Sequence, residues 1–465
     1  MANLELKSIT KLSESEPYAA ENGTKGKIVV NNSIERMNSL PKEEAGCTSV
    51  KMSVFNLSNA IIGSGLLGLS YAMANTGIIP FIFLLVVIAL MSLYSIHLLL
   101  QTSVETGSVV YENLGQLAFG KPGKFAVFGS TALQNIGAIL SYLVIVKNQL
   151  PHIISSFTNQ DNSEVWYLNG NHLVIFVTLT VILPLCLFKN LGYLGYTSGF
   201  SLICMIFFLI VVIYEKTQVP CPLTSSNSSN FSCTDMCSPK YFVWNKKTVY
   251  ALPTVAFAFV CHPSVLPIYS ELKNRTCKKM QVVSVFSFGS MFIMYLLTAF
   301  FGYLTFFGNV KDELLQSYIN SNDKLILLIR LAVIVSIILT VPVLLFTVRS
   351  SIVLLLFKAK FNLIQHISIT VLLLFVANLL VIYIPTIKDV FAVIGSTSAN
   401  MLIFILPALL YLKLVRNASQ GNFHKIGAIV FLVVGIIFMA ITVPLIIVEW
   451  SERHANYTLR TSCSE

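Results

Sequence analysis

Apolar residues fall along this chain in long runs separated by short polar breaks, and most runs are longer than the helices of a soluble core. A membrane-spanning helix needs about 20 predominantly apolar residues. Eleven stretches have that character: Met52–Asn75, Phe81–Leu100, Phe125–Ile145, His172–Phe188, Tyr193–Tyr214, Tyr250–Tyr269, Val282–Phe307, Leu325–Phe346, Ile367–Ile384, Val390–Leu412 and Ile426–Val448. The fourth is short, and Lys189–Gly192 divides it from the fifth. The first is too long for the core of a signal peptide, lies deep in the chain and lacks a small-residue cleavage site, so it reads as a span. Met1–Lys51 is polar, with seven Lys/Arg and seven Asp/Glu, and reads as a disordered tail. The pattern predicts an all-α polytopic membrane protein. Its parts are a tail (1–51), five spans (52–214), a polar loop (215–249), five more spans (250–414), an eleventh helix (415–449) and a C-terminal tail (450–465).

Composition narrows the class. Of 465 residues, 55% are hydrophobic and 11% charged, whereas a soluble domain carries about 25% charged residues. A string of soluble domains is excluded. The net charge of +10 is no nucleic-acid signal, because the basic residues sit between apolar runs rather than in an aromatic-laced patch. With the N-terminus inside, twenty Lys/Arg fall on the cytosolic side, Arg349 among them in the loop after the eighth span, and ten on the other. That asymmetry orients the chain. It predicts a cytosolic N-terminus and an extracellular C-terminus; the glycan and disulfide signals of the outer loop fit the plasma membrane, and lysosomal membranes expose the same chemistry. The loop Glu215–Val249 holds Cys221, Cys233 and Cys237 and the sequons at Asn227 and Asn230, features of an oxidising, glycosylating compartment. Asn456 begins a further outer sequon; those at Asn22, Asn31, Asn56 and Asn417 fall on the wrong side or in a span. The other six cysteines show no metal-ligand spacing.

The spans contain one formal charge, Arg330, about two turns from an outer end. It is assigned to snorkelling or to pairing with Asp323, not to substrate. His97 is read as structural. No intramembrane carboxylate, HExxH, GxSxG or Walker A motif is present, which argues against an enzyme or a resident cofactor. Neutral amides, hydroxyls and carbonyls remain, groups that suit sodium and a zwitterion.

The first span reads Asn56-Leu-Ser-Asn-Ala-Ile-Ile-Gly-Ser-Gly-Leu-Leu-Gly. Glycines at 63 and 65 favour an unwound segment, whose bare N–H and C=O groups must line a cavity or bind ligand. The alternative is close helix packing of small residues. In the sixth span, Pro263 and Pro267 each remove a backbone donor beside Cys261, His262 and Ser264. Interrupted helices at matching positions in two halves point to an inverted-repeat transporter site. His262 is open to a structural hydrogen bond or to substrate contact. Ser336 and Thr340 share one face of the eighth span; they back-bond to the helix or complete an oxygen cage for sodium opposite the first span. The third span offers Gln134, Asn135, Ser141 and Tyr142, and the tenth Ser396, Thr397, Ser398 and Asn400. Helix packing accounts for most of these.

These residues resemble one family. SVFNLSNAIIGSGLLGLSYAMANTG (53–77), YENLGQLAFGKPGK (111–124), LQNIGAILSYL (133–143), KNLGYLGYTSGFSL (189–202), FAFVCHPSVLPIYSELK (257–273), LTAFFGYLTF (297–306) and SANMLIFILP (398–407) are similar to the sodium-coupled neutral amino acid transporters of the amino acid/auxin permease superfamily. TVPVLLFTVRSS (340–351) and KFNL (360–363) resemble the system A branch. The resemblance implies a LeuT-like fold of two inverted five-helix repeats plus one helix, and symport of sodium with alanine-, serine- or glutamine-type substrates. It implies a sodium site at Asn59, the Ile62 carbonyl and Thr340, with Ser336 nearby. Substrate would meet Gly63, Ser64, Gly65 and the break at Cys261, His262 and Ser264, with Asn56 and Tyr142 close by. It also implies a Cys221–Cys237 disulfide, and slower transport at acid pH, for which His454 is a candidate or merely an exposed histidine. Two positions depart from the family pattern: Ser264 stands where many relatives have Glu, and Ile338 where some have Thr. An amino acid sensor acting through cytosolic partners of the tail, or a sodium-independent exchanger, would share these features.

Overall fold

The computed structural model describes residues 46, 48–158, 166–187, 194–219, 237–318, 324–356, 363–383, 386–415 and 422–462. Cys221, Cys233, Asn227, Asn230 and Asp323 lie outside the described residues, as does nearly all of the N-terminal tail. The described chain is helical, with no strand beyond an isolated bridge between Thr48 and Leu272.

The first span is two helices, α1 (Val50–Ile61) and α2 (Gly65–Thr76), bent by 58°. Ser49 caps α1 by accepting the Met52 N–H. There follow α3 (Ile78–Thr106), α4 (Tyr111–Thr158), α5 (Gly170–Leu187) and α6 (Leu194–Gln218). The sixth span is again broken, into α7 (Ala251–Ala258) and α8 (His262–Glu271). The second half continues with α9 (Cys277–Phe306), α10 (Lys324–Leu356), α11 (Leu363–Tyr383) and α12 (Ile387–Leu414). The last helix is α13 (Asn422–Ser462). Nine of these helices are long and apolar enough to cross a membrane, the stretch Lys246–Glu271 that holds α7 and α8 makes a tenth span, and the bent α1–α2 pair makes an eleventh. All eleven expected spans are present.

Burial separates the machinery from the lipid coat. Leu57, Leu66, Leu67, Leu69 and Met73 of α1 and α2 are fully buried. In contrast, α3, α6, α11 and α13 expose apolar residues such as Phe83, Ile203, Phe375 and Ile437, surface that a bilayer covers cheaply. The two broken spans sit at the centre: α2 packs on α7, and α9 runs across both α1 and α2. The face where the chain enters α1 is called the near face below, and the opposite face the far face. At the far face Gly77 turns with φ 88°, and a Cβ there would lie 2.5 Å from the Tyr241 carbonyl oxygen. Only glycine lets the segment after Cys237 dock on α3, where Ile78 and Ile79 donate to Lys240 and Tyr241.

Three boundaries differ from the hydropathy reading. α4 begins at Tyr111 and absorbs the charged Lys121 and Lys124 through a kink at Gly120 (φ 67°). α13 continues past Val448, so the backbone at Asn456 is helical. α10 extends to Leu356 and buries Arg349, expected in a loop; its guanidinium donates to the Cys186 carbonyl and the Thr370 hydroxyl, 3.1 and 3.0 Å. Arg330 does not snorkel. It is 6% exposed and its Nη2 donates to the carbonyls of Leu315 and Tyr318. His97 has the structural role expected, hydrogen-bonded to Gln101 and Gln281.

Candidate functional site

The two breaks face each other. α1 ends as the Ile62 N–H reaches Ser58, and α2 starts as Leu66 and Leu67 donate to Gly63 and Ser64. Gly63 and Ser64 therefore open the N-terminus of α2, where orphan N–H groups and the helix dipole favour an anion. Across from them, α7 stops at Ala258 and α8 begins at His262 with Pro263 in its first turn. Proline is well tolerated there, because that N–H has no helical partner.

What brings the breaks together is the absence of a side chain. A Cβ on Gly65 would lie 2.9 Å from both Cα and Cβ of Ala258, so the two backbones touch. Tyr295 of α9 then ties them: its hydroxyl lies 2.9 Å from the Ile61 carbonyl and 2.9 Å from that of Ala258. One fully buried phenol thus bridges the last turns of both half-helices. Sequence reading missed Tyr295. Nothing in its local pattern distinguishes it from the other aromatics of α9.

The remaining expected residues divide into groups. Tyr142 and Ser141 of α4 reach the first break: Ser141 Oγ and Ser64 Oγ are 2.5 Å apart, and the Tyr142 hydroxyl is 3.4 Å from where a Gly63 Cβ would stand. Asn56 and Asn59 are half-buried on α1, three residues apart and so on one face. The Asn59 Oδ1 is buried without a hydrogen-bond partner among the described residues. His262 is fully buried, and neither ring nitrogen has a partner among the described residues. Cys261 is a buried free thiol. Ser264 donates its backbone N–H to Cys261. Buried polar atoms without partners are uncommon in folded proteins. Here several gather where two helices are broken.

Ser336 and Thr340 lie on α10, which meets α1 through α6. The Thr340 hydroxyl donates to the Ser336 carbonyl at 2.8 Å, which spends its proton and leaves its lone pairs free. Ser336 Oγ is 2.6 Å from Ser201 Oγ of α6, a second residue that sequence reading missed. Of the other polar residues of the third and tenth spans, Gln134, Ser398 and Asn400 tie helices together. Ser398 donates to Gln134, and Asn400 donates to the Gly435 carbonyl of α13. Ser396 and Thr397 bond back to α12.

At the far face a charged cluster joins three spans. Asp389 accepts from Arg453 at 3.0 Å and from Trp450 at 2.9 Å, and Arg453 also donates to Glu449 at 2.6 Å. Tyr250, just before α7, contacts both carboxylates. Cys237 is disulfide-bonded. Among the described residues no group of three His, Cys, Asp or Glu is placed to hold a metal.

Residues 46–448 match the family described as transmembrane amino acid transporter protein. Two relatives are similar over most of their length. The sodium-coupled neutral amino acid transporter 4 of Homo sapiens is 51% identical, with 87% of this chain and 85% of that protein covered. The sodium-coupled neutral amino acid symporter 2 of Danio rerio is 54% identical, with 88% and 86% covered. The crystal structure of MhsT in complex with L-phenylalanine superposes with a TM-score of 0.59 at 12% identity, covering 87% of this chain and 99% of that one. This last likeness is one of fold: two inverted five-helix repeats, with α13 added.

Proposed function

The chain belongs to the transmembrane amino acid transporter family, and from that premise we propose how it works as a sodium-coupled symporter of neutral amino acids. Its relatives are transporters by name, and the chain is a multi-pass membrane protein. The observation that supports the mechanism most is the pair of broken helices held backbone to backbone at Gly65 and Ala258, with unpartnered polar atoms around them.

In this reading the substrate carboxylate takes the N–H groups of Gly63, Ser64 and Gly65 at the start of α2, with the Tyr142 hydroxyl above it. The break at Cys261, His262 and Ser264 lines the opposite wall, and Asn56 approaches from α1. Sodium takes oxygen ligands from Asn59 Oδ1, the Ile62 carbonyl and the Thr340 hydroxyl, with Ser336 positioning Thr340. A cation in the cleft beside the carboxylate offsets its charge, so each ligand favours the other's binding. Downhill sodium then drives the zwitterion inward; one charge crossing 100 mV releases about 2.3 kcal/mol.

The far face is extracellular in this proposal. The disulfide at Cys237 and the sequons at Asn227, Asn230 and Asn456 support that orientation, as does the excess of Lys/Arg on the near face. The plasma membrane is the proposed location, and cytosolic regulators would meet the N-terminal tail. Cys221 is the proposed partner of Cys237.

Uptake of a labelled alanine analogue should require sodium, and equal uptake in choline buffer would sink the coupling. Thr340→Ala removes one oxygen from the cage. An interaction of about 1.5 kcal/mol, typical of a bond to a charged group, predicts an order-of-magnitude rise in the sodium concentration for half-maximal uptake. Unchanged sodium dependence would take Thr340 out of the site.

A further inference from the structure

The segment that follows Cys237 turns its aromatic residues outward. Tyr241, Phe242 and Trp244 are 60%, 68% and 93% exposed. Three large rings displayed within one short stretch mark a surface that meets a membrane or another protein. The same stretch, 238–250, holds Lys240, Lys246 and Lys247 and no Asp or Glu. Lys246 pairs with Glu452 of α13, and Lys240 and Lys247 are exposed. Trp and Tyr beside Lys are the side chains that settle where hydrocarbon gives way to headgroups. The rings take the boundary, and the ammonium groups reach past it toward phosphate.

The fold sets this segment at that boundary. Ile78 and Ile79, the first residues of α3, donate their N–H groups to the carbonyls of Lys240 and Tyr241. From there a stripe of exposed apolar residues runs down α3: Ile79, Phe83, Val86 and Leu90, spaced by three and four residues and so on one face. α3 carries no charge from Ile78 to Leu100. That length rises about 33 Å at 1.5 Å per residue, against a hydrocarbon core of about 30 Å. The apolar length thus begins at the first residue of α3. The aromatic segment stands at its far edge, continuous with the stripe that faces lipid, which favours a bilayer over a protein partner.

A second observation concerns what the segment holds. Val243 donates its backbone N–H to the Thr76 carbonyl at 2.9 Å. Asn245 Nδ2 donates to Asn75 Oδ1 at 3.2 Å, and the Thr248 hydroxyl donates to the Asn75 carbonyl at 2.6 Å. Asn75 and Thr76 are the last residues of α2. Shortly after Thr248 the chain enters α7 at Ala251. One short segment therefore joins the far ends of the two half-helices whose backbones touch at Gly65 and Ala258.

We propose that Tyr241, Phe242 and Trp244 dock into the lipid interface of the far leaflet, with Lys240 and Lys247 drawn to headgroup phosphate, and that this anchor fixes the far ends of α2 and α7 against the bilayer. Moving either half-helix drags the rings through the interface, so the leaflet itself resists the motion. The lipid contact stands without the transport reading; its effect on rate rests on that reading.

Two measurements test this. The chain has three tryptophans, so the fluorescence difference between wild type and Trp244→Phe isolates Trp244. In the purified full chain in phosphatidylcholine nanodiscs, lipid carrying a nitroxide near the headgroup should quench that signal severalfold more than iodide in the water does. Stronger quenching by iodide would put the ring in water, and quenching by neither would put it under protein. Either result overturns the anchor, even in a chain that moves no amino acid. In cells, Trp244→Glu should lower uptake severalfold at equal surface amount, whereas Trp244→Tyr, still an interfacial ring, should retain it. Trp244→Ser serves if Trp244→Glu fails to reach the surface. Wild-type uptake in whichever of these two is at the surface overturns the link from the anchor to the half-helices.

Discussion

Tyr295→Phe should lower sodium-dependent uptake by at least about tenfold while the protein still reaches the surface. The hydroxyl it deletes lies 2.9 Å from two carbonyls, those of Ile61 and Ala258, on a fully buried side chain. An unsatisfied buried carbonyl costs about 1–3 kcal/mol. The loss is local, because the ring keeps its packing against Phe259. The half-helices would then be free to shift relative to one another, and a cage built from Asn59 and Ile62 depends on where α1 ends. Reduced sodium affinity together with reduced maximal rate is the expected signature. Wild-type kinetics in a normally expressed Tyr295→Phe chain would reduce the hydroxyl to a packing detail.

Gly65→Ala should be at least as damaging. The added methyl would sit 2.9 Å from the Cα and Cβ of Ala258, a contact that neither backbone can relieve by a rotamer change. Overpacking of this kind costs typically about 1–3 kcal/mol, and here the displaced atoms are those proposed to bind substrate. Uptake should fall by about tenfold to a hundredfold on that scale. Ala258→Gly removes one of the two clashing atoms, so the double variant Gly65→Ala/Ala258→Gly should regain part of the activity. Absence of rescue, with Gly65→Ala folded and at the surface, would place the damage elsewhere.

The breaks themselves were legible in the sequence. Glycine at 63 and 65 and proline at 263 act through the backbone, so their effect is written locally and reads directly from the chain. Span count was legible for a similar reason, since the bilayer imposes a length on each apolar run. The misjudged boundaries lay where helices outlast their hydrophobicity. Lys121 and Lys124 look like a loop, yet α4 carries them, and Arg349 looks like a loop residue until Cys186 and Thr370 are seen to accept its protons. Tyr295, Ser201 and Glu313 were not legible. Each acts through partners far away in the chain: Tyr295 on Ile61, Ser201 on Ser336 and Glu313 on Gln149. A lone Tyr, Ser or Glu announces no such pairing. Glu313 sits in a polar stretch between two apolar runs, yet the fold buries it completely.

The bridge at the near face has a mechanical consequence. Thr48 receives the Lys273 N–H and gives its own to Glu271, at 2.9 and 3.0 Å, just ahead of α1 and just beyond α8. Two such bonds are worth about 1 kcal/mol each, only a few times thermal energy. Just beyond the other end of α1, at the mid-span break, the chain bears on α7 through touching backbones at Gly65. α1 is therefore a lever with a hard bearing near one end and a soft clasp at the other. Fatigue in such a device starts at the clasp, so the stretch around Thr48 is where a single strengthened bond would stall the whole cycle.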